Sequence, residues 1–494
     1  MTLGGGVLHA LARSVPFPPI AIAQVLVRAT PGAFDSFFID RLGHWAARLA
    51  VVGTCAAFLL VAASLGTAIP AFERRLPRLV AGPASFLPLW AASAILYPSE
   101  PQFLGRWTFA LVMLPLYLAG GAVAGRATRR LEARPAGDGE TDLTRRSLLR
   151  SAWVAAAGIA LGATSLGNLV RRRPDPGLER LRGVSATPPS PAVATGDERF
   201  PRVPGLSPEL TSNDHFYVVN EELYTPDIDP NAWSLSVTGL VDHPLQLTYE
   251  ELKSFPVVER YQTLECISNT VGGPYISTAL WTGVPVAAIL DRAGVRPGAV
   301  EVAFVGGGYS DSMDVARALD QTTLIAIGMN GFVLPRAHGF PARVLGVGTY
   351  GMKNPKWLTG IEVVDRPYEG FWERRGWSKT TPVKTTSRID TPADGATVGG
   401  EVPIAGVAFA GDRGISRVEV STDGGSSWTA AVLKRALSPY TWRLWLYRWT
   451  PPAAGTYRII VRATDGTGAV QASAAASSFP SGASGDHGIS VTVG

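Results

Sequence analysis

Tyr261-Gln-Thr-Leu-Glu-Cys266-Ile-Ser-Asn269, followed by the glycine pair Gly272-Gly273, is the stretch on which the reading of this chain turns. It sets a cysteine at the end of a strand-like run, just ahead of residues that let another group approach the backbone closely. Two readings of Cys266 stay open at this point. Most lone cysteines are small buried hydrophobes, whereas one placed at a strand end before glycines is a candidate for chemistry.

Outward from that stretch, 494 residues exceed one ordinary domain and suggest about three units. Only 17% of residues are charged and the mean hydropathy is +0.15, an apolar balance concentrated before residue 170. The net charge of +5 comes largely from arginines flanking apolar segments. That distribution suits membrane topology, and no basic stripe interleaved with aromatics points to nucleic acid. The two cysteines, Cys55 and Cys266, lie in an apolar run and in the polar part, so no disulfide is expected to hold the fold.

Residues 1–169 read as a membrane region with about four transmembrane helices. Three spans are expected at Trp45–Ala68, Leu79–Tyr97 and Trp107–Gly125, each about the twenty residues that cross a hydrocarbon core. The fourth, Ala152–Leu169, follows Arg145-Arg146-Ser-Leu148-Leu149 and looks like a twin-arginine signal retained as an anchor. Arginine-rich loops at 74–78 and 126–150 orient the remainder toward the extracytoplasmic face of a bacterial cell membrane, with lipid as a partner. Residues 170–204 read as a proline-rich linker.

Residues 205–385 read as a mixed α/β domain. Strand-like runs are expected at His215–Asn220, Trp233–Gly239, Val300–Val305, Leu324–Met329, Arg343–Val347 and Ile361–Val364. A capping box at Thr248-Tyr-Glu-Glu251 starts a short helix, and a second runs from about Pro285 to Gly294. From 386 to 494, short alternating strands separated by Asp-Gly turns predict an all-β, immunoglobulin-like sandwich.

A second cluster, His338-Gly-Phe-Pro-Ala-Arg343 and Tyr350-Gly-Met-Lys353-Asn354-Pro355-Lys356-Trp357, sets arginine and lysine among glycines. Such residues suit an anion such as phosphate. Together with a soft thiolate ligand for a transition metal, these motifs resemble the molybdenum-cofactor domain of the sulfite oxidase family. The resemblance runs over residues 205–370, on Thr263-Leu-x-Cys266-x-x-Asn269, Ala279-x-Trp281-x-Gly-Val-Pro285, His338-Gly-Phe-Pro-x-Arg343 and Lys356-Trp357-Leu. The segment after Thr386 is similar to that family's dimerisation domain.

The resemblance implies a membrane-anchored molybdopterin oxidoreductase with Cys266 as the protein sulfur on molybdenum. It implies that His338 and Arg343 hold the pterin and its phosphate, with Asn354, Pro355 and Lys356 beside them and Tyr217 to Asn220 lining the pterin. It also implies a small-molecule substrate, a separate electron carrier and a homodimer through the C-terminal domain. Of the six histidines only His9 and His44 lie near the membrane part, and neither pairs with another at helical spacing inside a span, so no built-in haem of the family's kind is expected. Val219 and Glu221, Thr270 and Val271, and Trp377 stand where sulfite oxidases carry charged or hydroxyl-bearing groups, so a substrate other than sulfite is expected. Reduction of methionine sulfoxide or related S- and N-oxides is the nearest alternative. Cys266 as a nucleophile with His338 as base, in a cell-envelope hydrolase or transpeptidase, is the alternative from a different chemistry.

Overall fold

The computed structural model describes residues 45–67, 69–95, 174–188, 200–220, 225–379 and 382–494, with scattered positions between 23 and 126. They belong to two compact units. In the N-terminal unit, helices span Trp45–Thr67, Ile69–Glu73, Arg78–Ser85 and Leu87–Ile95. The Trp90 indole donates to the Ala110 carbonyl at 2.8 Å, and Ser93 Oγ pairs with the Tyr117 hydroxyl at 2.8 Å.

These helices correct the expectation of a multi-pass membrane protein. Among the described residues no helix is long and apolar enough to cross a membrane. The span expected at Leu79–Tyr97 is divided at Phe86 into helices of 8 and 9 residues. At 1.5 Å per residue each covers only about 12–14 Å of a hydrocarbon core roughly 30 Å thick. Trp45–Thr67 does not meet the requirement over its described residues either. The twin-arginine stretch and the span at 152–169 lie outside the described residues, as does most of the span at 107–125. The transmembrane assignment and the multi-pass, extracytoplasmic localisation built on it are therefore overturned.

In the second unit, two sheets carry the α/β region. One runs, in pairing order, Ala186–Thr187, Val257–Glu265, Ile276–Pro285, Leu324–Met329 and Arg343–Leu345, with Phe332–Val333 also paired to Leu324–Met329. The other runs Leu245–Thr248, Ser234–Gly239, Leu358–Val364, Glu301–Gly306 and Tyr309–Asp314. Ile276–Pro285 is buried at nine of its ten positions, as befits a strand with neighbours on both edges and cover on both faces. Trp281 is fully buried in a core it shares with Leu235, Phe304 and Ile361.

The helix Val286–Ala293 buries Val286, Ala287, Ile289, Leu290 and Ala293, the face set by three- and four-residue spacing. Gly294 ends it at φ +69°, a left-handed cap that glycine adopts without a Cβ penalty. At the helix Tyr249–Lys253, the Thr248 hydroxyl accepts from Glu251 N–H while the Glu251 carboxylate accepts from Thr248 N–H, the reciprocal cap its sequence predicts.

Two stretches differ from expectation. His215–Asn220 is not a strand: Phe216 N–H donates to Ser212 O at 2.9 Å, and Ser212 Oγ pairs with His215 Nδ1 at 2.9 Å. Local bonds of this kind compete with a ladder. Within the expected linker, Asp175 caps a 3-10 turn at Pro176–Leu178, Arg180 lies 4.3 Å over the Phe332 ring, and Ala186–Thr187 pairs in parallel with Val257–Val258.

The C-terminal region packs two sheets face to face. One contains Thr386–Thr391, Val402–Phe409, Arg443–Trp449 and Val432–Leu433. The other contains Thr397–Val398, His487–Val493, Gly455–Asp465, Ile415–Ser421 and Thr429–Ala430. Ile404, Val418, Trp445, Ile459 and Val461 fill the space between them, as expected for inward positions of paired sheets.

Candidate active site

Cys266 follows directly on the strand Val257–Glu265, in the loop that returns to Ile276–Pro285. Cys266 N–H donates to Tyr275 O at 3.0 Å and Asn269 N–H to Cys266 O at 3.0 Å, which closes the loop on itself. Asn269 braces it from inside: its Nδ2 donates to Glu265 Oε1 at 3.0 Å and its Oδ1 accepts from Tyr275 N–H at 2.9 Å. The Cys266 sulfur lies 3.0 Å from Ser268 Oγ. Burial pushes its thiol pKa up, Ser268 opposes this, Glu265 adds to it, and Lys356 lowers it.

The second cluster is a turn folded tightly on its own backbone. Gly339 ends the 3-10 turn Arg336–His338 at φ +114°, and a Cβ there would stand 3.0 Å from the Cβ atoms of both Arg343 and Lys356. Arg343 is buried and donates from Nη1 to His338 O at 3.1 Å and from Nη2 to Asn354 O at 3.3 Å. One guanidinium thus joins the two motifs. Gly339→Ala is expected to cost about 1–2 kcal/mol in left-handed strain, with further loss from crowding Arg343 and Lys356, read by denaturant unfolding. Unchanged stability would show that the close approach is not needed.

His338 Nε2 donates to Asn213 O at 3.0 Å, and burial, with help from Arg343 and Lys356, pushes its pKa down to about 4. The imidazole is therefore neutral at pH 7, with Nδ1 as an acceptor. Lys356 bridges back to the start of the domain: Nζ donates to Val219 O at 3.1 Å and to the Asn220 side-chain oxygen. The Asn354 side chain is turned inward, accepting from Gly346 N–H at 2.6 Å and donating to Tyr350 O at 3.0 Å. Pro355 contributes its carbonyl to Val344 N–H at 3.0 Å. Both residues shape the cradle through the backbone.

Tyr217 connects the two clusters. Its N–H donates to Ser277 Oγ at 3.2 Å and its ring stacks on Phe216. Burial holds its pKa well above the ordinary tyrosine value; Cys266 and Glu265 push the same way and Arg343 opposes them. Gly351 leaves room beside it: a Cβ there would stand 3.0 Å from the Tyr217 hydroxyl and 4.0 Å from Cys266 Cα. The site thus offers a half-buried thiol, a neutral imidazole and two cations beside closely packed glycines, a donor set that fits a soft metal with a phosphorylated organic ligand.

The hydrolase alternative fits poorly. Cys266 Sγ faces Ser268 Oγ while His338 Nε2 faces the Asn213 carbonyl, so thiol and imidazole are not hydrogen-bonded to each other. A thiol with a raised pKa is also a weak source of thiolate. The Asn213 carbonyl, which orients His338, left no trace in the sequence because any residue supplies a backbone oxygen. Trp377 is 5% exposed and packs on Trp372 and Phe479, with ring centroids 6.5 and 5.2 Å away. Its indole Nε1 finds no hydrogen-bond partner among the described residues. Glu221 lies outside them.

Comparison with known proteins agrees with this geometry. Residues 222–372 match the oxidoreductase molybdopterin binding domain and residues 379–479 the Mo-co oxidoreductase dimerisation domain. Human mitochondrial sulfite oxidase is 33% identical over 306 residues, covering 52% of this chain and 56% of that protein. Sulfite oxidase of Gallus gallus is 32% identical over 351 residues, covering 61% of this chain and 73% of the relative. The uncharacterized oxidoreductase YuiH of Bacillus subtilis (strain 168) is 35% identical over 160 residues, covering 31% of this chain and 79% of YuiH. The molybdopterin-binding match, lying over the thiol and its basic cradle, implies Mo-molybdopterin as the cofactor. With one relative matched over nearly three quarters of its length and both domain types in order, the chain belongs to the sulfite oxidase family of molybdopterin oxidoreductases.

Proposed function

We propose that the protein transfers an oxygen atom to or from a small substrate other than sulfite, with Cys266 as the protein sulfur on molybdenum. The observation that carries this reading is a half-buried thiol with Tyr217 and Lys356 as charge neighbours, Arg343 acting on Tyr217 in turn, and Gly351 packed between the thiol's backbone and the Tyr217 hydroxyl. When bound, the molybdenum cofactor supplies the redox chemistry. The chain's own part is to hold and shield the site. The Cys266 loop fixes where the sulfur points, and His338 offers a neutral acceptor. Arg343 and Lys356 offset the charge of a phosphate. Tyr217 and Asn220 border the pterin, and Asn354 and Pro355 keep the backbone of the cradle in place. Electrons leave to, or arrive from, a separate carrier, and the C-terminal domain supports a homodimer.

Val219, Thr270, Val271 and Trp377 carry no cationic group, and each charged hydrogen bond missing from a sulfite dianion forfeits about 1.5–3 kcal/mol. A neutral or larger substrate suits these residues better. Metal and pterin analysis of the purified protein should give near-stoichiometric molybdenum. A screen of sulfite, S-oxides and N-oxides with artificial electron donors and acceptors should favour the oxides. Sulfite turnover surpassing every oxide, or a fully active protein free of molybdenum, would sink the reading.

A further inference from the structure

The glycine pair that closes the cysteine loop is gripped by two side chains of the C-terminal sandwich. Arg388, on the strand Thr386–Thr391, donates from Nη1 to Gly273 O at 2.8 Å. Its guanidinium is fixed in turn by Asp390 Oδ1 at 2.7 Å and Ser207 Oγ at 3.0 Å. His487, at the start of the strand His487–Val493, lies with its ring edge flush on Gly272. Gly272 has φ +73°, and the place a Cβ would take is filled by Cδ2 and Nε2 of the imidazole.

The ring itself is anchored. Its Nδ1 accepts from Ile389 N–H at 3.0 Å, so the neutral ring carries its proton on Nε2, the atom turned to Gly272. Burial and the nearby Arg388 and Arg458 guanidinium groups lower its pKa and keep it neutral. The incoming strand is tied to the sandwich as well: Ser438 Oγ donates to Tyr261 O at 2.6 Å, Thr263 N–H to Tyr440 O at 2.9 Å, and Trp442 N–H to Thr263 Oγ1 at 2.8 Å. Sandwich contacts therefore hold the stretch on both sides of Cys266.

From these contacts we infer that Arg388 and His487 are positioning residues for the active site: the sandwich sets the orientation of Cys266 through the Gly272-Gly273 corner. The inference rests on the reading of Cys266 as the metal's sulfur ligand. It gives the sandwich a part in the reaction centre separate from any part in dimerisation. Gly272 is then required twice, once for its left-handed backbone and once for the space its missing Cβ leaves to the imidazole.

The test uses the full chain as wild type, His487→Ala, Arg388→Met, Gly272→Ala, the double variant Gly272→Ala/His487→Ala, and Arg448→Ala. Arg448 is an exposed sandwich residue paired with Glu401 and serves as the control. Amide exchange across residues 262–276 is followed by mass spectrometry, and the visible thiolate-to-molybdenum absorption is recorded on the same samples. Arg388→Met should speed exchange in this segment about tenfold, the loss of roughly one hydrogen bond to Gly273 O. His487→Ala should speed it as well, by removing the ring that packs on Gly272. Both should shift the absorption band. Arg448→Ala should do neither. The double variant should exchange more slowly than Gly272→Ala alone, because removing the ring relieves the clash.

Wild-type exchange and absorption in His487→Ala would overturn the clamp. That variant removes no charge, so it decides the matter even where Arg388→Met does not fold. Wild-type protein without molybdenum would instead overturn the reading of Cys266, while the exchange measurements still decide whether the sandwich holds the loop.

Discussion

Cys266→Ser is expected to leave a folded protein that has lost its thiolate-to-molybdenum absorption and at least about 100-fold of its turnover. Replacing an outer-shell partner of a metal ligand costs roughly 10–100-fold, and a ligand itself should cost no less. Serine is nearly the same size, and its hydroxyl can keep the contact that the sulfur makes with Ser268. The loop bonds at Cys266 N, Cys266 O and Asn269 involve no sulfur, so stability should change by less than about 1 kcal/mol. What serine cannot supply is a soft, polarizable donor. Unfolding curves, molybdenum content and the visible spectrum, measured on one preparation, separate this outcome from simple misfolding. Wild-type turnover in Cys266→Ser would remove the sulfur from the mechanism.

The features legible in the sequence are those written in local patterns. The three- and four-residue spacing up to Gly294 gave the helix Val286–Ala293, the Thr248 cap gave Tyr249–Lys253, and alternation gave the sandwich strands. Cys266, His338, Arg343 and Lys356 stood out because thiol, imidazole and cations beside glycine are uncommon combinations. Features that depend on distant partners were not legible. His215–Asn220 has the apolar content of a strand, but the bonds of Ser212 to His215 and Phe216 compete with one. Apolarity over Leu79–Tyr97 concealed the division of that stretch at Phe86. Nothing around Gly272 announces His487, and nothing around Asn354 shows that its side chain turns inward to the backbone. A pattern read along the chain records which groups are available; folding decides which of them are already engaged.

Lys353 illustrates that distinction and carries the largest expected effect on stability. From its sequence it is one more cation beside the cradle, yet its ammonium is held by Asp311 Oδ1 at 2.7 Å and by Glu373 Oε1, away from any anion site. The Asp311 side chain is fully buried and that of Glu373 is 5% exposed. Burial and the Glu373 carboxylate raise the Asp311 pKa to about 6 although Lys353 opposes them. Lys353→Met would leave two carboxylates facing each other without a counter-charge, and breaking a buried pair in this way costs about 3–5 kcal/mol.

The pH dependence has a definite sign. A carboxyl whose folded pKa lies above its unfolded value of 3.8 keeps its proton in the folded state longer, so its contribution to stability falls as pH rises from about 4 to about 6 and then levels off. Removing Lys353 raises the folded pKa further and extends that fall to higher pH. The penalty for Lys353→Met should therefore be largest near pH 8. It should shrink at pH 5, where Asp311, with its pKa of about 6, is already mostly protonated in the wild type and the two forms bear that cost alike. Urea unfolding of wild type and Lys353→Met at the two pH values measures the difference. A penalty independent of pH would mean that the two carboxylates do not bear the lost charge. Because Lys353 ends the turn Gly351–Lys353 that leads into Asn354, Pro355 and Lys356, the same variant should also release the cofactor more readily at pH 8 than at pH 5. Loss of cofactor that follows the deprotonation of Asp311, a group outside the cradle, would link the buried ion cluster to the site through the backbone it holds.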